Sequence, residues 1–203
     1  MREVERYFAN GGDVAHLFNY NLNCDAIVLD IGGHAGDLGG QMYEKFACNV
    51  YMFEPIKGFY QGIKQRFKGA EKIKIFNYGV GSKTHEAQFN LWGDGTSEFS
   101  RPDKSPCSTT ETVQIRSYSS VVEELGLTTV DVCSINIEGG EYDLLPHVFD
   151  EGLASRIKNF QIQFHNFIPD CDSKRKEIQA KLSCTHARTF NYDYVWENWT
   201  LIE

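Results

Sequence analysis

Apolar, β-branched runs recur along the chain at 26–31 (AIVLDI), 49–53 (NVYMF), 72–76 (KIKIF), 130–137 (VDVCSINI) and 159–164 (NFQIQF). Strands this continuously apolar are buried on both faces, as in a parallel sheet covered by helices on either side. The links between them carry the helical period. Leu38, Met42 and Phe46 in one, and Phe59, Ile63 and Phe67 in the next, are spaced four apart and line one face of a helix. These spacings predict crossover helices over 37–47 and 56–67. Gly39 and Gly40 weaken the first helix, which points to close packing against the sheet.

The stretch 92–112 has a different texture, rich in Gly, Ser, Thr, Asp and Pro. It predicts a long loop, followed at once by strand-like sequence; loops of this length inside compact domains usually carry function or move. In SVVEELG, Ser120 and Glu123 are placed as a capping box and Gly126 as the helix stop. A last helix is expected over 173–183 with a basic, solvent-facing start. Two closing strands are expected around a turn at 191–193. The pattern is that of one α/β domain over 1–203, helices covering both faces of a mostly parallel sheet with an antiparallel C-terminal hairpin.

Charge and composition narrow the function. With 28 acidic against 20 basic residues, the net charge is −8, and the densest basic run is Lys174, Arg175 and Lys176. Nucleic-acid phosphates and anionic membranes call for clustered cations, so neither is an expected partner. No apolar stretch approaches the roughly 20 residues that span a bilayer, and the charged start MREVERYFAN lacks a signal-peptide core; the expected location is cytoplasmic. Six scattered cysteines without a C-x-x-C pair give neither a disulfide framework nor a zinc site, so no metal is expected.

The most informative stretch is LDIGGHAGD at 29–37. An apolar strand ends on Asp30 and turns through Gly32, Gly33 and Gly36 into a helix. Such a turn presents free N–H groups at the carboxyl edge of the sheet, where open α/β folds bind ligands. A bare tight turn would use the same glycines, so what ends the next strand matters. There stands Glu54, about twenty residues on, where nucleotide-binding folds put an acid for the ribose hydroxyls. His34 occupies the position of the second glycine required by the dinucleotide fingerprint, and no Walker lysine is present. Pyrophosphate is therefore disfavoured.

LDIGGHAGD, VYMFEP at 50–55 and SINIEGGEYDLL at 134–145, in this order and spacing, resemble the FkbM family of S-adenosylmethionine (SAM) methyltransferases, the likeness running from about 27 to 165. The resemblance implies a three-layer, Rossmann-like fold with a doubly wound, seven-stranded sheet, and SAM as cofactor. It assigns Asp30, Gly32, Gly33, His34 and Gly36 to the cofactor turn and Glu54 with Pro55 to the ribose. Asn77 and Tyr78 would stand near the adenine, and Asn136 by the cofactor or the substrate. GTSEF at 95–99 matches the family's small Gly-Ser stretch, bringing Thr96 and Ser97 toward the acceptor. The chain departs from the family where Lys-Ile-Asp is usual: Ser134, Ile135 and Asn136 stand there, and Asn is a poorer divalent-cation ligand than Asp. Pro146 falls inside the helix expected after Glu141.

Methyl transfer to an alcohol needs alignment of the oxygen with the methyl and a base for the departing proton. His165, directly after the fifth strand, ranks first as base on its ordinary pKa near 6.5, Glu138 second and Glu141 third. Trp92 and Tyr194, aromatic rings with polar tips, are candidates to stack on a sugar. The expected activity is O-methylation of a hydroxyl on a sugar or glycan, with loop 92–112 folding over the acceptor. The sequence leaves open whether the chain works within a larger glycan-synthesis polypeptide or complex. Two rivals stand beside this: a SAM-binding module without catalysis, favoured by the lost Lys and Asp, and a nicotinamide-dependent oxidoreductase, disfavoured by the broken fingerprint.

Overall fold

The computed structural model describes residues 1–99, 104 and 109–202. Two short helices, α1 (Glu3–Ala9) and α2 (Gly12–His16), come first. Strands and helices then alternate: β1 (Ile27–Ile31), α3 (Asp37–Phe46), β2 (Asn49–Phe53), α4 (Lys57–Arg66) and β3 (Ile73–Phe76). Three strands follow, β4 (Gly79–Gly81), β5 (His85–Asn90) and β6 (Thr110–Ser117). The chain then alternates again through α5 (Tyr118–Glu124), β7 (Val132–Ile135), α6 (Glu141–Asp150), β8 (Asn159–Ile162) and α7 (Cys171–Leu182), and ends in β9 (His186–Tyr192) and β10 (Trp196–Leu201).

Seven strands form one sheet in the order β3-β2-β1-β7-β8-β10-β9, as expected for a doubly wound α/β fold. The first five run parallel, and β10 lies antiparallel to both β8 and β9. Chain order reverses between β1 and β7, and at such a switch point the helices leave to opposite faces and open a crevice at the strand ends. Side chains alternate across the sheet, so neighbouring residues of one strand feed two cores. Val28, Val50, Met52 and Val132 pack with Met42 of α3 and Ile63 of α4 on one face. Leu29, Ile31, Phe53 and Ile135 pack with Leu144, Leu145 and Ile178 on the other.

Close contact of α3 with the sheet explains its glycines. A Cβ on Gly39 would stand 2.8 Å from Asp30 Oδ2 and 3.0 Å from Val50 Cγ1, and one on Gly40 would strike the Phe67 ring.

Three features differ from expectation, while Pro146 falls inside a helix as its sequence position implies. Strands β4, β6 and β5 make a second, three-stranded sheet, with β4 parallel and β5 antiparallel to β6, over a small core of Ile56, Ala87, Val113 and Ile115. The sequence hides it, because β4 is only Gly-Val-Gly and β5 is mostly polar. Helix α5 is capped by Ser117, whose hydroxyl accepts the Ser120 N–H, and not by Ser120; β6 runs straight into the helix and brings its start forward. Arg175 in α7, a residue only 8% exposed, faces inward although it stands in the basic run: its guanidinium donates to Glu197 Oε2 at 2.7 Å and Asp193 Oδ1 at 2.9 Å, tying the helix to the hairpin. Pro146 stands in the second turn of α6, where it offers no N–H to the Tyr142 carbonyl. Residues 100–103 and 105–108 of the expected 92–112 loop lie outside the described residues; within the rest, Gly93–Gly95 form a 3-10 turn and Asn90 bridges to Ser97.

Candidate active site

A cavity of about 430 Å³ opens at the carboxyl edge of the large sheet, beside the switch point. One wall is the glycine turn with Glu54, a second is the loop after β7, and the third is the small sheet through Val80, His85, Phe89 and Ile115.

The turn is shaped by backbone constraints. Gly32 has φ +93°, and a Cβ there would collide with the Asn136 carbonyl; Gly36 has φ +77° against Phe67. Only glycine holds such conformations without strain. The Gly32 and Gly33 N–H groups both donate to the Phe53 carbonyl, at 3.1 and 3.0 Å, stitching the turn to the end of β2. Asp30 acts from behind: it is buried, does not line the cavity, and accepts the Gly39 N–H at 3.0 Å, fixing the start of α3. Burial pushes its pKa up to about 6.

Glu54 lines the cavity. Its Oε2 accepts the His34 N–H and its Oε1 the Ile56 N–H, both at 2.8 Å. Burial pushes its pKa up to about 7, and those two N–H groups only partly offset it. His34 lines the wall beside it with its ring 4.3 Å from that of Phe59. Asn77 sits behind, its amide donating to the carbonyls of Glu54 at 3.0 Å and Pro55 at 2.9 Å, while Pro55 itself reaches the cavity. Tyr78 is half-buried against Phe53 and Phe76 and does not line it.

Three acid–base candidates meet after β7 and β8. Glu138 lines the cavity and has φ +50°, a left-handed conformation uncommon for a residue with a Cβ. Its carbonyl accepts the Ser97 hydroxyl at 2.7 Å. Glu141 is wholly buried behind it and accepts the N–H groups of Gly139 at 3.0 Å and His165 at 2.8 Å. The His165 ring lies between the acids, Nδ1 3.0 Å from Glu141 Oε1 and Nε2 3.3 Å from Glu138 Oε1. Burial presses its pKa down, but the bonds and charges of the two acids outweigh this and carry it up to about 9. Neither Glu141 nor His165 lines the cavity.

Of the acceptor candidates, Thr96 lines the cavity, and Ser97 is buried beneath it, its hydroxyl also accepting the Phe99 N–H at 3.0 Å. Trp92 precedes the 3-10 turn, and Tyr194 hydrogen-bonds Asp172 under the Arg175 guanidinium; neither ring lines the cavity. The walls also include Asp37, Glu98 and Asp143, which lie inside the three motifs at 29–37, 95–99 and 134–145 but carry no role assigned from the sequence.

Asn136 lines the cavity with its Oδ1 buried and without a hydrogen-bond partner among the described residues. A polar atom left so is costly unless something else satisfies it. Five carboxylates (Asp37, Glu54, Glu98, Glu138 and Asp143) and no Lys or Arg appear among the described lining residues. This set of acceptors therefore suits a cationic ligand with hydroxyls. Among the described residues, no group of three or more His, Cys, Asp or Glu side chains is arranged to hold a metal ion.

A family model for the methyltransferase FkbM domain matches residues 30–192. The chain belongs to the FkbM methyltransferase family, and it is a methyltransferase. No curated protein sequence matches it. Solved structures share its fold at low identity. A fibrillarin in complex with Nop5p has TM-score 0.54 at 10% identity, covering 99% of this chain and 81% of that one. A Methanococcus jannaschii fibrillarin pre-rRNA processing protein has TM-score 0.52 at 11%, covering 88% and 67%. A Streptococcus thermophilus rRNA methylase has TM-score 0.50 at 10%, covering 90% of each chain. At such identities the likeness establishes the Rossmann-like methyltransferase fold and nothing of the acceptor. No described helix is long and apolar enough to cross a membrane.

Proposed function

We propose that this FkbM methyltransferase takes SAM as its methyl donor and methylates a hydroxyl of a neutral sugar or glycan. The observation that carries the reading is Glu54: a buried carboxylate on the cavity wall, held by two main-chain N–H groups beside the glycine turn, with acceptor capacity left for a diol. Asn136 would satisfy its buried Oδ1 on the ligand, and the acid-lined cavity favours a cationic donor.

SAM supplies a methyl already activated on a sulfonium. The protein's own part is to align the acceptor oxygen, exclude water and receive the proton. Of the three candidates for that proton, Glu138 is the one on the cavity wall. With SAM and acceptor bound, the Glu138 carboxylate would receive the hydroxyl proton as the oxygen takes the methyl, a transfer that would turn the sulfonium into a neutral thioether.

The acidic walls and the net charge of −8 support a neutral acceptor over RNA, whose phosphates both would repel. The test is calorimetry with S-adenosylhomocysteine and NAD, then transfer of labelled methyl from SAM to a pool of neutral glycans. Binding of the first alone and label in the glycan fraction support the reading. Preference for NAD, or label only in added RNA, overturns it, and binding without transfer to any acceptor favours the non-catalytic module.

A further inference from the structure

The His165 imidazole faces a carboxylate oxygen at each ring nitrogen, 3.0 Å away on the Glu141 side and 3.3 Å on the Glu138 side. A neutral imidazole carries one N–H and one lone pair, so it donates to one of these oxygens and sets its lone pair against the other. An imidazolium donates to both. Around the ring the Tyr142 hydroxyl donates to the His165 carbonyl at 2.8 Å, and the apolar Phe167 ring lies 5.6 Å away; among the described residues, Glu138 and Glu141 are the acids paired with the imidazole.

The rest of the arrangement fixes the ring from behind. Glu141, fully buried at the first position of α6, holds both the His165 ring and its main-chain N–H through one oxygen, and the Gly139 N–H through the other. Replacing Gly139 would drive a Cβ into Ile168, so this turn has no slack. At the front, Glu138 sits in the left-handed region at φ +50°, a conformation that persists only where neighbours enforce it. Ser97 holds its carbonyl, and the His165 ring meets its carboxylate.

We propose that His165 is a positioning residue: a permanently protonated bridge, anchored by Glu141, that holds the Glu138 carboxylate at the cavity wall and does not itself take the acceptor's proton. The catalytic meaning of Glu138 rests on the methyl-transfer reading above, whereas the charge of the bridge does not. His165 then stays protonated across the neutral range and adds no titration there.

The experiment uses the full chain without added ligand. Imidazole nitrogen-15 NMR at pH 7.5 is expected to show both His165 nitrogens protonated, with a titration midpoint well above 6.5. In Glu138→Gln, which removes one of the two charges, the midpoint falls by about one unit or more. Crystal structures of His165→Ala and His165→Gln are expected to show the Glu138 carboxylate displaced. With SAM and a neutral glycan pool, kcat in His165→Gln drops about 10-fold or more while S-adenosylhomocysteine affinity stays within about 2-fold. A neutral imidazole at pH 7.5, or Glu138 unmoved in the variants, overturns the proposal. Should His165→Ala fail to fold, the Gln variant and the Glu138→Gln titration still decide. Failure of the native chain to bind S-adenosylhomocysteine would sink the cofactor assignment while leaving the bridge to the NMR result.

Discussion

The carboxylate of Glu54 accepts the main-chain N–H of His34, twenty residues earlier, at 2.8 Å. This bond joins the glycine turn after β1 to the end of β2. The group expected to grip the ribose therefore also fixes the loop beside it, which sets how the two respond to substitution. Glu54→Ala is expected to weaken S-adenosylhomocysteine binding about 10-fold or more, since hydrogen bonds to a charged group are worth roughly 1.5–3 kcal/mol each. Calorimetry reads this directly, and undiminished affinity would remove Glu54 from the site.

The raised pKa values fix a pH dependence. Glu54 rises from 4.5 to about 7, Asp30 from 3.8 to about 6 and His165 from 6.5 to about 9, so in each case the folded chain holds protons that the unfolded chain has lost. Stability from these groups is complete below the unfolded values and falls as pH rises through the folded ones. The melting temperature should drop from pH 5 to pH 9, with the portion above about 7 absent in His165→Gln. Cofactor affinity should move the other way and increase up to about pH 7, because only ionised Glu54 accepts two hydroxyl donors. A flat melting profile would contradict these shifts.

Two glycines should respond with opposite signs. Gly32→Ala forces a side chain into φ +93° and into the Asn136 carbonyl, and a loss of more than about 2 kcal/mol in urea unfolding is expected. Gly62, within α4, has nothing within 4 Å of a Cβ, and Gly62→Ala should gain about 0.5–1 kcal/mol.

Asn136→Ala separates folding from binding. Its Oδ1 has no partner among the described residues, so removing it should leave stability within about 0.5 kcal/mol of the original or raise it. Affinity for S-adenosylhomocysteine should nonetheless fall several-fold. Equal affinity with equal stability would mean that Asn136 does not contact the ligand.

Much of the fold is legible in the sequence because its signals are local. Strands β1, β2, β7 and β8 are continuous apolar runs, and the four-residue spacing in α3 and α4 predicts their extents closely. The position of Glu54 follows from counting along two strands. Long-range partnerships stay hidden. Arg175 reads as surface charge because Glu197, its buried partner, stands on another element 22 residues on. His165, Glu138 and Glu141 all follow strand ends, so the sequence brings them to one edge. Which of them faces the cavity depends on the left-handed turn at Glu138 and the burial of Glu141, and no spacing in the chain encodes either. The cavity's third wall went unread for a related reason: Gly79–Gly81 is too short and His85–Asn90 too polar to announce a sheet.

That third wall is built on a separate ribbon with its own small core, while Glu54 and the glycine turn hang on the large sheet. The two halves of the site thus rest on different foundations. On the methyl-transfer reading proposed above, exchange of His85 or Phe89 is expected to reshape what the enzyme admits without loosening its hold on the donor, leaving such a scaffold free to change its customer while keeping its reagent.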